Sequence, residues 1–358
     1  MKLDKNSSER LNLLRFPLIV GVVFIHAYET NVIFSDETIG VEQANLVSDF
    51  IRNLISQGLA RVAVPLFFLM SGYLFFLGFH WSLNTYKRKL RSRVNTLLIP
   101  FIFWNLATML LVYTAQTLPL TQSFFSGNNE LISSFVIYDY FNALIGIDRF
   151  PISYQFWFIR DLMTMVLLVP IIQLILKIIP RIFLGVIFVL WFFQLWPIYF
   201  PTSIAALFFY IGALLASSKQ SLFKADKYGS KILLIYIVIL LADVLTKSYD
   251  FNGYINRIGI LFGVVSALYA TKYALNNEKV RLFLQWTASC SFFVYAVHEP
   301  LLTIFRKIIY KIFTPSTDIL VLTLYISIPL FVIALSIMAY VVLKSLTPKL
   351  LSIVTGGR

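Results

Sequence analysis

The stretch RFPLIVGVVFIHAYE, residues 15–29, is almost uniformly apolar, yet it opens with Arg15 and closes with His26 and Glu29. With the leucines before it, the run over 11–29 is long enough to cross a bilayer as a helix, which takes roughly 17–25 residues. On such a helix Arg15 and His26 share one face, about three turns and 16 Å apart, or half the hydrocarbon thickness. Charged groups facing lipid cost about 2.5–3.5 kcal/mol each, so this face is expected to look into a bundle interior or water. Glu29, one turn beyond His26, is placed to accept a hydrogen bond from the imidazole and fix its tautomer.

The rest of the chain supports a membrane reading. Of 358 residues, 59% are hydrophobic and 13% charged, and the charged share is about half that of an ordinary soluble domain. Mean hydropathy is +0.80. The net charge of +13 resides mostly in short connections between apolar runs. That is the positive-inside pattern of a membrane protein rather than a nucleic-acid-binding surface. Cys290 is the one cysteine, so neither an intrachain disulfide nor a Cys-rich metal site is expected. The basic start and apolar run lack a small-residue cleavage site, and the segment reads as a retained first helix rather than a signal peptide.

Hydropathy predicts an all-α polytopic membrane helix bundle, one membrane domain over 1–358 with about ten transmembrane helices: 11–29, 59–79, 94–114, 156–178, 182–199, 202–218, 231–248, 255–275, 283–305 and 319–344. With both termini cytoplasmic, twenty of the thirty Lys and Arg residues fall on inner segments and nine on outer ones, with Arg15 inside a span. The dissenting connection is RKIIYK, 306–311, which is basic on the outer side. Two outer connections are long. Residues 30–58 include the amphipathic NLVSDFIRNLI, suited to lying along the interface, and 115–155 combine the turn signal SGNN with aromatics.

Other ionisable residues in the spans are few. Arg61 opens RVAVPLFFLMSGYLFF, Arg160 and Asp161 sit in WFIRDL, and His298 and Glu299 in SFFVYAVHEPLL. In this topology they and His26 fall at similar depth in the outer half, as an enclosed polar site requires. The plainer alternatives are a histidine bonded to a neighbouring carbonyl, an Arg160–Asp161 structural pair and a snorkelling Arg61. Asp243 and Arg257 read as structural, and Ser71-Gly72 as a place for close helix packing. There is no metal-ligand spacing, Gly-rich phosphate loop or G-x-S-x-G.

In these motifs the chain resembles the acyltransferase-3 family of integral membrane acyltransferases. The likeness is carried in order by LLRFPLIVGVVFIHAYE (13–29), RVAVPLFFLMSGYLFF (61–76), FWFIRDLMTMVLLVP (156–170) and SFFVYAVHEPLL (291–302). It departs at Phe16, where the family often has glycine.

The resemblance implies transfer of an acyl group, commonly acetyl, from cytoplasmic acyl-CoA to a hydroxyl of an envelope carbohydrate: O-antigen, capsule, exopolysaccharide or peptidoglycan. The implied setting is a bacterial inner membrane. The partners are acyl-CoA as donor substrate, a lipid-linked or polymeric glycan and membrane lipid, with no tightly bound cofactor, metal or nucleic acid. In that reading His26 is the general base and Glu29 or another carboxylate orients it. Arg160, Arg61 or His298 supplies oxyanion donors, and Arg61 and Asp161 flank the acceptor. Arg15, with Lys87, Arg88, Arg91 and Arg93 of the inner KRKLRSR, suits the CoA phosphates. The competing class is a transporter or flippase using the same buried charges.

Overall fold

The computed structural model describes residues 3–35, 37–41, 46–125 and 130–357. The SGNN signal at 126–129, Asn45 and the Leu46 side chain of the amphipathic stretch, and the terminal Lys2 and Arg358 lie outside the described residues. Helix α1 (Lys5–His26) leads to a hairpin of β1 (Asn31–Ile33) and β2 (Thr38–Gly40), antiparallel with Val32 opposite Ile39. Next, α2 (Leu46–Arg52) runs through π and 3-10 turns into α3 (Ala63–Phe76). α4 (Leu83–Arg93) runs through a π turn into α5 (Ile99–Thr117), followed by α6 (Pro119–Gln122) and α7 (Ile137–Ile145). The remainder is α8 (Trp157–Leu167), α9 (Val169–Ile178), α10 (Pro180–Phe192), α11 (Ser203–Ser217), α12 (Gly229–Leu245), α13 (Asn252–Asn276), α14 (Glu278–Ala288), α15 (Ser291–Ile312), α16 (Asp318–Leu346) and α17 (Pro348–Thr355).

This is an all-α, multi-pass membrane fold. Among the described residues five helices are long and apolar enough to span a bilayer: Val47–Phe76, Leu83–Thr117, Lys224–Leu245, Asn252–Asn276 and Asp318–Leu346. The number rises to seven if the bent pairs α8–α9 and α14–α15 each form one span. With α1 and the shorter apolar α10 and α11, all ten predicted segments are helical, while length and composition alone admit five to seven spans. Proline sets two of the breaks. Pro170 opens α9 and Pro180 opens α10, because a ring nitrogen without a proton is tolerated in a first turn and disrupts a helix interior.

Two local expectations change. KRKLRSR is not a loop but the last turns of α4, a helix capped where Ser82 Oγ accepts from Thr85 N at 3.1 Å. The 45–55 stretch, from Val47 onward, is continuous with α3 in one 30-residue helix.

Contacts divide the chain into two compact units, each assembled from three segments. The first is Met1–Val22, Asn53–Val94 and Phe158–Ser291, and the second is Val23–Arg52, Asn95–Trp157 and Phe292–Arg358. In the first unit α3 and α11 pack backbone to backbone. A Cβ added at Gly72 would meet Phe209 O at 2.1 Å, and one at Gly212 would meet Leu69 O at 2.1 Å. This is the close packing anticipated at Ser71-Gly72. Phe16 is buried and edge-on to Phe283. Arg10 ties the start of α1 to this unit: Nη1 meets Asp226 at 2.6 Å, Nε donates to Thr271 at 2.7 Å, and its guanidinium lies over Phe223. In the second unit Trp104 Nε1 on α5 donates to Val354 O on α17 at 2.9 Å, and Phe305 of α15 stands edge-on to Phe331 of α16.

Candidate functional site

The second unit concentrates polar groups around the end of α1. His26 is its last residue, and its Nδ1 lies 2.8 Å from the Tyr154 hydroxyl. Behind that hydroxyl stands the Glu299 carboxylate, near enough to act on it electrostatically, and its Oε2 accepts from Thr303 Oγ1 at 2.8 Å. A tyrosine hydroxyl has one proton to give. Given to the carboxylate, it leaves the oxygen to accept from His26 Nδ1–H, which puts the His26 lone pair on Nε2. Glu299, Tyr154 and His26 thus stand as carboxylate, phenol and imidazole in that order, with a hydrogen bond between the last two.

A second imidazole stands beside the first. The His26 and His298 ring centroids are 5.4 Å apart. His298 Nδ1 is 2.7 Å from Tyr295 O, an oxygen that only accepts, so Nδ1 carries the proton and, in the neutral ring, Nε2 the lone pair. His298 is fully buried, and its Nε2 has no hydrogen-bond partner among the described residues. Buried polar atoms are ordinarily paired, so an orphan at this position points to function.

Local sequence explains how the site is held. Pro300 inside α15 has no N–H, so the carbonyl of Ala296 loses its helical partner. Gln155 Nε2 replaces it at 3.1 Å, and Tyr295 returns a bond from its hydroxyl to Gln155 O at 2.7 Å. Two residues before Gln155, Ser153 N donates to Asn105 Oδ1 of α5 at 3.1 Å. The 153–155 turn is therefore fixed between α5 and α15 and delivers Tyr154 to His26. A cavity of about 540 Å³ opens beside it. Tyr154, Gln155, Glu299, Thr303 and Lys307 form part of its wall, and Leu111, Val112, Leu118 and Ile304 are among its apolar lining.

The predicted residues fare differently. His26 and His298 are brought together. Glu29 is not: α1 stops at His26, the one-turn spacing is lost, and Glu29 is exposed without a side-chain hydrogen bond among the described residues. Tyr154, backed by Glu299, takes the place expected for it. Arg61, Arg160 and Asp161 belong to the first unit. There Arg160 and Asp161 are buried and bonded to each other at 3.1 Å, Asp161 Oδ2 accepts Thr202 N at 2.7 Å, and the Arg160 guanidinium lies 4.6 Å from the Phe200 ring. Arg61 Nε donates to Gln57 Oε1 at 3.0 Å. Asp243 accepts from Asn252 and Asn256, each at 3.0 Å, with Lys247 3.5 Å away.

Arg15 departs from the enclosed face expected of it, being exposed and without a side-chain hydrogen bond among the described residues. On α4, Lys87, Arg88 and Arg91 are exposed and Arg93 half-buried. Lys89 is occupied by Phe75 O and lies against the Phe75 and Phe79 rings. Sequence reasoning missed Tyr154 and Gln155, just outside a predicted span, and it left Arg306 in an unexplained basic connection.

Residues 8–342 match a family model described as an acyltransferase domain. The chain is also 24% identical to the succinoglycan biosynthesis protein ExoH of Rhizobium meliloti (strain 1021), over 99% of this chain and 94% of that protein. No solved structure matches it. A family match of this extent, on a multi-pass helical chain that brings His26 and His298 side by side, makes the protein a member of the acyltransferase-3 family of integral membrane acyltransferases.

Proposed function

We propose that the protein transfers a short acyl group, ordinarily acetyl, from cytoplasmic acyl-CoA to a hydroxyl of an envelope carbohydrate, with His26 as general base. The observation that carries this reading is the Tyr154–His26 hydrogen bond beside the orphaned His298 Nε2, with Tyr154 and Glu299 in the wall of a cavity. The relative named for succinoglycan biosynthesis supports a glycan acceptor. The twenty-to-nine distribution of basic residues supports cytoplasmic termini, and with them a bacterial inner-membrane location.

A sugar hydroxyl is too weak an acid to attack a thioester unaided at neutral pH. In the proposed step His26 Nε2 takes the hydroxyl proton as its oxygen bonds to the thioester carbonyl carbon. Such catalysis contributes about 10²–10⁴-fold. Collapse of the tetrahedral intermediate breaks the carbon–sulfur bond, and the imidazolium returns the proton to the departing thiolate. Glu299, acting through Tyr154, holds the ring in the useful tautomer and stabilises the imidazolium. His298, neutral with its proton on Nδ1, offers its Nε2 lone pair as an acceptor for the incoming hydroxyl. Arg15 and the exposed Lys87, Arg88 and Arg91 bind donor phosphates. Arg160, Asp161 and Arg61 are assigned to holding the first unit together.

The test is incubation of purified protein with radiolabelled acetyl-CoA and a lipid-linked or polymeric glycan. Label on the glycan in alkali-labile ester linkage, lost in His26→Gln, is the expected result. Absence of label with every acceptor and short acyl donor, from protein that binds acyl-CoA, overturns it.

A further inference from the structure

The cavity beside Tyr154 lies wholly within the second unit, and neither His26 nor His298 is among its lining residues. Two helices supply most of its wall. α5 contributes Thr108, Leu111, Ala115 and, at its C-terminal cap, Leu118. α15 contributes two adjacent rows at helical spacing: Glu299, Thr303 and Lys307, and Pro300, Ile304 and Ile308. From Glu299 to Lys307 the slot runs about 12 Å along α15, at 1.5 Å per residue. That is within the roughly 15 Å of hydrocarbon in one leaflet, half of a 30 Å core.

The hydroxyl protons of the wall are turned inward. Thr108 donates to Ser153 Oγ at 3.3 Å, Thr114 to Leu110 O at 2.8 Å, Thr121 to Ala115 O at 2.5 Å and Thr303 to Glu299 Oε2 at 2.8 Å. Gln155 Oε1 is unpartnered among the described residues, but it is itself buried. The slot therefore presents mainly hydrocarbon, and a sugar entering it would exchange water for few hydrogen-bond partners. Its rim is apolar as well. Leu111, Leu118, Ile304 and Ile308 are exposed, and on the helices of a membrane bundle such exposure is contact with lipid. The slot opens sideways, so its occupant comes from the bilayer.

The two ends differ in charge. Glu299 is the acid of the lining, at the Tyr154 end, and Lys307 is the base, at the other. Lys307 donates to neutral acceptors, Ile33 O at 3.0 Å and Phe124 O. One turn further on, the Lys311 ammonium lies 4.7 Å from the centroid of the Phe34 ring and 5.1 Å from that of Phe124. Neither lysine forms an ion pair among the described residues, and the charge that acts on Lys307 is the cationic Arg306. Phe124 lines the slot and meets both lysines, so two ammoniums without a carboxylate stand at one edge of its mouth. They belong to RKIIYK, the connection that runs against the positive-inside pattern. Cations at the membrane boundary above an apolar slot match an anionic head and its chain.

We propose that the α5–α15 slot seats one acyl chain of an anionic phospholipid, with the phosphate at Lys307 and Lys311 and the end of the chain against the Tyr154–Glu299 wall. Such binding does not depend on acyl transfer. The basic connection then recognises lipid instead of setting orientation.

Photolabelling of the wild type locates the chain. Detergent-solubilised full-length protein is irradiated with phosphatidylglycerol that carries a diazirine near the end of one acyl chain. Label concentrated on 108–118 and 299–308 is expected, and label spread evenly over the apolar helices overturns the proposal. Competition then reads the head. Unlabelled phosphatidylglycerol should displace the probe about tenfold better than phosphatidylcholine with the same chains, since each lysine near a membrane surface adds to anionic-lipid binding. The advantage should fall toward unity in Lys307→Gln combined with Lys311→Gln. Equal competition by the two lipids on the wild type, or an advantage kept in the double variant, sinks the proposal. Glycerol phosphate, a head without a chain, should leave the label in place; displacement by it would mean an anion site and no lipid site. A polyprenyl phosphate that displaces the probe where unlabelled phosphatidylglycerol does not would overturn the choice of phospholipid. Ala115→Trp fills the slot and should abolish the concentrated labelling, and labelling unchanged in that variant also overturns the site. The wild-type arms decide even if a variant fails to fold.

Discussion

The Arg160–Asp161 and Arg10 networks of the first unit and the histidine site of the second bury polar groups in opposite ways. In the first, Arg160, Asp161 and the Thr202 amide satisfy one another, and Arg10 is met by Asp226, Thr271 and Leu268 O. In the second, His298 Nε2, Gln155 Oε1 and two Arg306 nitrogens are buried without partners among the described residues. Leaving polar atoms unmade lowers stability, so a chain keeps such a set where a ligand or a moving proton completes it. A closed network is the mark of a strut. Burial and charge are common to both units, and so are open hydrogen bonds, since Tyr236 Oη, Ser266 Oγ and Arg281 Nε of the first unit are also unpartnered among the described residues; what sets the reacting site apart is that its orphan belongs to an imidazole beside a second imidazole.

The largest effect expected from this contrast is at His26. Replacing it with alanine or glutamine should lower transfer by about 10²–10⁴-fold, read as labelled ester formed per folded molecule. The protein should still insert and melt near the wild-type temperature, because the ring is only half-buried and its loss strands no ion. Substantial turnover by well-folded His26→Ala would move the base role elsewhere, with His298 the next candidate.

Asp161 should show the reverse signature. Asp161→Ala leaves Arg160 buried without its counter-ion and Thr202 N without its acceptor, and breaking a buried pair costs about 3–5 kcal/mol. Loss of folded protein in denaturation or thermal-inactivation assays is the expected result, with turnover per folded molecule within a few-fold of wild type. A stable Asp161→Ala protein with no activity would break the contrast and return Arg160 to the chemistry.

Tyr154 tests the chain between carboxylate and imidazole at smaller scale. Tyr154→Phe keeps the ring that stands edge-on to His26 but removes the hydroxyl. His26 then loses the acceptor that sets its tautomer. The expected loss is about tenfold to a hundredfold in kcat, with the KM for acyl donor little changed, since the hydroxyl is proposed to act on the imidazole rather than on the donor. A mutant with normal kcat would mean that His26 is oriented by other contacts.

Much of this was legible in the sequence because lipid is an exacting solvent. Every span must be helical and apolar, so ten segments could be marked from hydropathy, although the one marked over 156–178 is broken ahead of Pro170. For the same reason histidine in a span is conspicuous, and His26 and His298 stood out at once. Tyr154 and Gln155 did not. Tyrosine and glutamine are cheap near a membrane boundary, and their roles depend on Pro300 freeing a carbonyl far along the chain. Glu29 misled because the helical spacing was carried past the residue at which α1 ends. The division into two interleaved units was out of reach, since it follows from contacts between distant segments that no local periodicity encodes.

The smallest effect expected falls on the exposed cations, and it tests the contrast from the other side. Arg15, Lys87, Arg88 and Arg91 are open to a ligand without being buried, so they carry neither the stability cost of an orphan nor the leverage of an enclosed charge. Screening over about 8 Å at physiological ionic strength weakens each of them. Arg15→Ala should therefore raise the KM for acetyl-CoA several-fold at low salt and less at high salt, with kcat and Tm close to wild type. Combining it with Lys87→Ala and Arg91→Ala should add to the shift in KM and flatten its salt dependence, because each substitution removes one charge from the same donor site. Acyl-CoA affinity unchanged in Arg15→Ala at low salt would retire Arg15 from phosphate recognition. A collapse of kcat instead would place Arg15 with the groups that act in the transition state, despite its exposure.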